Sequence, residues 1–216
     1  MPNWVTNKVN APQHVLASLI NESGKIDFNQ VIKFKGSFGW DGVLCDAEQA
    51  AEIITQAPLD DNPVIARLQE LNRRDVNVLK MDDMCFEQFV QMLRNKRQCG
   101  YFHEMDFARD QWGTKWNACQ QSTDLEAGNI QFETAWSCPV PVFIALSMLH
   151  PDHELVVHYA DEDIGSNCGM LTIKNGEVVS SEIAGRWSNM DEQERQHWTK
   201  FARDVTGSQE ELEDDE

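Results

Sequence analysis

The sequence has 216 residues, 41% apolar and 25% charged, with seven Trp, enough to bury one ordinary core or two small ones. No run approaches the roughly 18 consecutive apolar residues of a membrane span, and Met1-Pro2-Asn3-Trp4 lacks the basic and apolar regions of a signal peptide, so a soluble cytoplasmic protein with no membrane partner is expected. Thirty-six acids against eighteen bases give a net charge of −18, which disfavours direct nucleic-acid binding because phosphate contacts depend on Lys and Arg.

Trp4 to Asn10 alternates with the period of a half-buried strand, and Pro12 opens a helical run through Val15, Leu16, Leu19 and Ile20 that stops near Gly24. Asp27 to Ile32 reads as a short extended or helical piece. The glycine-rich run Gly36 to Gly42 lacks a following Gly-Lys-Ser or Gly-Lys-Thr and reads as a connecting loop. Three helical patterns come next: Asp46 to Gln56, Asn62-Pro63 to about Asn72, and Asp82/Asp83 to about Gln98. Their apolar stripes are expected to pack helix on helix.

After Gly100 the texture changes. Trp112 to Gln120 and Asn129 to Trp136 alternate and are rich in strand formers, which predicts a hairpin turning between Asp124 and Asn129. That reading places Trp112, Thr114 and Trp116 on one strand face and makes Lys115 a strand salt-bridge residue. Pro139 and Pro141 open a buried helix over 142–149, which Pro151 closes. Glu154 to Tyr159 is a strand, and Cys168 to Val179 a hairpin around Asn175-Gly176, a strong turn signal. A last helix runs from Asp191 to about Val205. The order β-α-β-β-α-β predicts an α+β protein with a ferredoxin-like, split-βαβ antiparallel sheet, a helical insertion, and a C-terminal hairpin and helix. One domain over 1–205, with the insertion at about 46–98 and a disordered acidic tail over 206–216, is expected.

The charge is uneven. Residues 1–100 hold 13 acids and 11 bases, whereas 101–216 hold 23 and 7. Between Lys115 and Lys174 there is no Lys or Arg, while Asp124, Glu126, Glu133, Asp152, Glu154, Asp161, Glu162 and Asp163 all fall there. Such a segment presents a negative surface that favours a basic partner, or solubility alone.

Met1-Pro2-Asn3-Trp4 with Asn7, Asp27-Phe28, the run Trp112-Gly113-Thr114-Lys115-Trp116-Asn117, and Phe132-Glu133-Thr134-Ala135-Trp136-Ser137 with Pro139 resemble the signature blocks of the YubB-like proteins of plasmids and phages. The resemblance covers the first strand and most of residues 105–170. Val5 and Cys138 depart from the Cys and Pro expected there. It implies a ferredoxin-like core and a mobile-element origin in a bacterial host cell, and carries over no reaction and no catalytic residue.

The residues themselves supply little chemistry. Six cysteines lack any Cys-x-x-Cys pair, which suits reduced thiols. Cys99 with His103, and His150, His153 and His158 near Asp152, match no zinc spacing, and Asp161-Glu162-Asp163 before Gly165 lacks the calcium-loop pattern, so neither metal nor cofactor is expected. No Gly-x-Ser-x-Gly elbow or neighbouring Cys and His pair points to an enzyme. The leading expectation is a non-enzymatic mobile-element protein that binds a host protein with a basic surface. A defence complex of restriction or CRISPR type, bound by nucleic-acid mimicry, fits through Asp124, Glu126, Glu133, Asp161, Glu162 and Asp163. The alternatives are a single-stranded nucleic-acid module stacking bases on Trp112, Trp116 and Trp136, and a small nucleotide-related enzyme; a homodimer is open.

Overall fold

The computed structural model describes residues 2–208. The expected tail, 206–216, lies outside the described residues from residue 209 onward. In chain order the elements are Trp4–Asn10 (β1), Gln13–Ala17 (α1), Cys45–Thr55 (α2), Pro63–Asp75 (α3), Asp83–Cys99 (α4) and Glu104–Gln111 (α5). Then come Cys119–Asp124 (β2), Asn129–Ala135 (β3), Val140–Leu149 (α6), Glu154–Asp161 (β4), Cys168–Lys174 (β5), Glu177–Ile183 (β6) and Glu192–Thr206 (α7). The chain divides into two compact units, residues 34–107 and the remainder.

The larger unit is built on a six-stranded sheet in the order β2-β3-β1-β4-β5-β6, every neighbouring pair antiparallel. Its β1-α1-β2-β3-α6-β4 part, with β2-β3-β1-β4 side by side, is the ferredoxin-like arrangement expected from the sequence. The Asn175-Gly176 hairpin also forms, both residues adopting the positive φ that a two-residue turn of this hand requires. The period of two divides the sheet into faces. Val5, Val9, Ile130, Phe132, Leu155 and Val157 are wholly buried on one face, where Phe132 meets Phe28 at 5.6 Å and Phe143 of α6 at 6.2 Å. The opposite face is covered by α7: Lys8 Nζ donates to the Asp204 carbonyl, His158 meets Phe201 at 5.9 Å, and Ala160 packs with Ala202 and Val205. Asp191 caps α7 in a reciprocal pair with Glu194.

The smaller unit is helical. Ala47, Ala50 and Ala51 of α2 let α4 approach closely, and Cys85, Phe89 and Met92 fill the contact with Phe102. Buried Asn95 and Gln88 of α4 hold the glycine-rich loop. Asn95 accepts from Ser37 N and donates to the Ser37 carbonyl, and Gln88 accepts from Leu44 N and donates to the Gly42 carbonyl. The expected helix-on-helix packing fails for α3, which has no buried residue and leaves Val64, Leu68 and Leu71 exposed. Its tie to α2 is polar, Arg73 to Glu52 at 3.1 Å.

Two further expectations change. Residues 104–111 form α5, and 112–118 form an irregular loop, so the strand begins only at Cys119. The loop's polar groups are spent on local and tertiary bonds rather than on a ladder. Gly113 takes φ +73°, the Thr114 hydroxyl donates to the Ala135 carbonyl, the Ser137 hydroxyl donates to the Gly113 carbonyl, and Asn117 reaches Asp27. The strand face of Trp112, Thr114 and Trp116 therefore does not exist. Phe132→Ala, which empties the centre of the first face, is expected to lower unfolding stability by about 3–5 kcal/mol in urea denaturation.

Candidate binding surface

The quoted sequence blocks meet in one place. Trp112 is 1% exposed; its ring lies 5.6 Å from Phe28 and its Nε1 donates to the Ile32 carbonyl, so it belongs to the core and not to any stacking surface. Asn117 Oδ1 accepts from Phe28 N and Ala118 N, while its Nδ2 donates to Asp27 Oδ1 at 2.7 Å. Burial pushes the Asp27 carboxyl up, but bonds from Asn117, the Asn29 amide and Gln30 outweigh it and hold the group below the ordinary value of 3.8. Asp27 thus stabilises the fold fully above about pH 4, and that contribution is lost as pH falls through its depressed pKa. Asn117→Ala, which strands Asp27 and the Phe28 amide, should cost roughly 1–3 kcal/mol at pH 7 by denaturant titration, and less of it in acid where Asp27 is protonated.

This anchoring sends the other two tryptophans outward. Trp116 is 36% and Trp136 51% exposed. Trp116 lies 6.1 Å from Trp4 at the start of β1, and Lys115 Nζ sits 4.5 Å over its ring, a cation–π contact where a strand salt bridge was expected. Trp136 follows β3 with φ +71°, a left-handed conformation costly for a bulky side chain. Its amide donates to the Asn3 carbonyl and its carbonyl accepts from Asn167 Nδ2.

The acidic residues separate into three situations. Asp161 is only 4% exposed and its oxygens are engaged: Oδ1 accepts from Asn3 Nδ2 and the Asp163 amide, Oδ2 from Asn167 Nδ2 at 2.9 Å. It is a brace for the Trp136 backbone and the loop after β4, which corrects its expected place among the contact residues. Glu133, Glu162 and Asp163 lie at this same end. Burial first, and then the Glu162 carboxylate, push the Glu133 carboxyl above the ordinary 4.5, and the Glu162 amide donates to the Trp4 carbonyl. Asp124 and Glu126 are exposed at the β2–β3 turn, the other end of the hairpin. The six expected acids therefore do not form one patch. The sequence marks Asn3 and Trp4 only as part of a signature block and a strand and passes over Asn167, because their roles here arise from strand pairing and a loop conformation that no local pattern encodes.

Burial raises the thiol pKa values of Cys45, Cys85, Cys119, Cys138 and Cys168, that of Cys168 to about 11, the reverse of what a nucleophile needs. Among the described residues, no group of three or more His, Cys, Asp or Glu could hold a metal ion, and no helix is long and apolar enough to cross a membrane.

Comparison with known proteins agrees with the topology. Residues 111–202 match the family described as the ferredoxin-like domain in Api92-like protein. The matched stretch holds strands β2, β3, β4, β5 and β6 but not β1, together with Trp116, Trp136, Glu133, Glu162 and Asp163. A crystal structure of protein api92 from Yersinia pseudotuberculosis is similar at 11% identity, covering 86% of this chain and 99% of that one with a TM-score of 0.35. No curated protein sequence matches.

Two outcomes follow from the acidic end. Glu133→Gln should stabilise the protein at neutral pH, because it removes a carboxylate whose charge burial first and Glu162 second disfavour in the fold. The gain should fade as pH falls through the raised pKa and be absent below about 4, as thermal melts across pH would show. Asp161→Ala should cost roughly 1–3 kcal/mol and speed amide exchange at Asp163.

Proposed function

We propose that this chain is a non-enzymatic binding protein of a phage or plasmid, which docks on a basic surface of a host protein. The reading takes that host protein to be a nucleic-acid-handling defence complex of the restriction or CRISPR type, whose groove the acidic surface would occupy in place of nucleic acid. The observation that carries it is the exposed Trp136 ring at the same end of the sheet as exposed Glu162 and Asp163, where burial first and Glu162 second push the half-buried Glu133 carboxyl up. An exposed aromatic at the same end as exposed acids suits an Arg-rich surface, since a guanidinium both stacks and pairs. The mobile-element origin rests on the resemblance of the Trp-rich blocks to YubB-like proteins. Asp124 and Glu126, at the far end of the hairpin, would extend the contact.

The strained backbone at Trp136 supports the same reading, because a costly conformation that exposes a large ring is not maintained for packing. Trp136→Gly should leave stability unchanged or raise it by up to about 1 kcal/mol, while abolishing partner binding. A wild-type fold with intact binding would contradict this role.

The direct test is capture from a bacterial host lysate at low and moderate salt. The wild-type chain should retain a nucleic-acid-processing complex that salt releases, and the Glu133→Lys, Glu162→Lys, Asp163→Lys variant should retain at least about tenfold less. Equal capture by both would refute the reading. Lys115 over Trp116 beside Trp4 favours a second reading, in which single-stranded nucleic acid stacks there. It requires tryptophan quenching by an oligonucleotide at low salt.

A further inference from the structure

The two edges of the sheet are treated differently. At β2 the edge is distorted by a register shift, and the chain at Ile26 lies on it: Ile26 N donates to Gln121 Oε1 at 2.7 Å and Gln121 Nε2 donates to the Ile26 carbonyl at 3.0 Å. At the other end, all seven residues of β6 are exposed, and its outer side pairs with no strand among the described residues. Such an edge presents backbone donors and acceptors at strand spacing, which an extended chain satisfies.

The side chains of β6 sort by chemistry. Its ladder to β5 pairs Ile173 with Val178 and Thr172 with Ser180, so Val179 is an extra, bulged residue. The bulge shifts the alternation by one. Glu177, opposite Lys174, and Glu182, opposite Met170, then both fall on the α7 side of the sheet, while Val178 and Ile183 fall on the α6 side. There Met148, 64% exposed, stands over the turn, its Cγ 2.8 Å from where a Cβ on Gly176 would lie, and Ser147 Oγ accepts from the Gly176 amide. Without the bulge, the two glutamates would point to opposite faces.

We propose that the outer edge of β6 receives an extended segment of a partner protein as a seventh strand, a segment whose side chains alternate between basic and apolar. Its basic residues meet Glu177 and Glu182 on one side; its apolar residues meet Val178, Ile183 and Met148 on the other. A second copy of this chain is the less suited occupant, because each carries a net charge of −18 and pairing two β6 edges would set the glutamates of one against those of the other. The proposal is independent of the tryptophan-bearing end, which lies on other strands.

The test uses the full chain and a blocked seven-residue peptide of alternating Lys and Val, followed by amide NMR at low salt. Expected are shifts and slowed exchange confined to 177–183 and its neighbours on both faces, Met148 included. Affinity should fall at least about tenfold for the Glu177→Lys, Glu182→Lys variant, and for a control peptide of the same composition with its lysines and valines in separate blocks. Methylating alternate peptide amides on the edge-facing side, which leaves the protein untouched, should abolish binding. Equal affinity of the block peptide, shifts centred on Trp116 and Trp136, or concentration-dependent shifts at 177–183 from the chain alone would each overturn it.

Discussion

The larger unit depends on a loop that is fastened rather than folded into a strand. Between α5 and β2 the chain has no ladder to hold it, so its position comes from three anchors: the buried Trp112 ring against Phe28, the Thr114 hydroxyl on the Ala135 carbonyl, and Asn117 bridging Asp27 and Phe28. The first is ring packing, and the other two satisfy polar groups that burial would otherwise leave costly. Because Phe28 also touches Phe132, the loop, the 3₁₀ turn at Phe28–Gln30 and the central strand β3 are one packed assembly. Loosening the loop would expose the centre of the core.

From that fixed loop the acidic end of the sheet takes its form. Trp116 can face Trp4 only because Asn117 pins the next residue, and Trp136 can hold a left-handed backbone only because Asn3 and Asn167 accept and donate around it. Asp161 ties those two asparagines together. The result separates roles among neighbours in sequence. Asp161 is structural and buried, whereas Glu162 and Asp163 are exposed and contribute field, with Glu133 half-buried beside Glu162. Burial first and the Glu162 carboxylate second push the Glu133 carboxyl up, and a cation bound at this end would pull it back down.

Much of the fold was legible because its signals are local. Alternation marked β1, the prolines bounded α6, Asn175-Gly176 fixed the β5–β6 hairpin and Asp191 the start of α7; their order then fixed the ferredoxin-like sheet. The run from Trp112 to Asn117 misled because a loop whose aromatic residues alternate between buried and exposed has the period of a strand without its hydrogen bonds. The helix at 104–111 was hidden by a stretch of charged and aromatic residues with a weak apolar stripe. At the candidate surface the acids and two of the exposed rings were visible as types. Which acid was buried, and that Trp4 joins the rings, depended on strand register across more than 100 residues of chain, as the Asn3 to Asp161 bond shows.

The central claim is that the acids at the Trp136 end, Glu133 among them, receive a cation. The most direct measurement is the Glu133 titration midpoint, read by carbon-detected NMR in the free protein and again with an oligoarginine peptide. The account predicts a midpoint above 4.5 in the free chain that moves down on adding the peptide, with Trp136 resonances shifting in parallel. A midpoint at the ordinary value, or one that the peptide leaves in place, would contradict it.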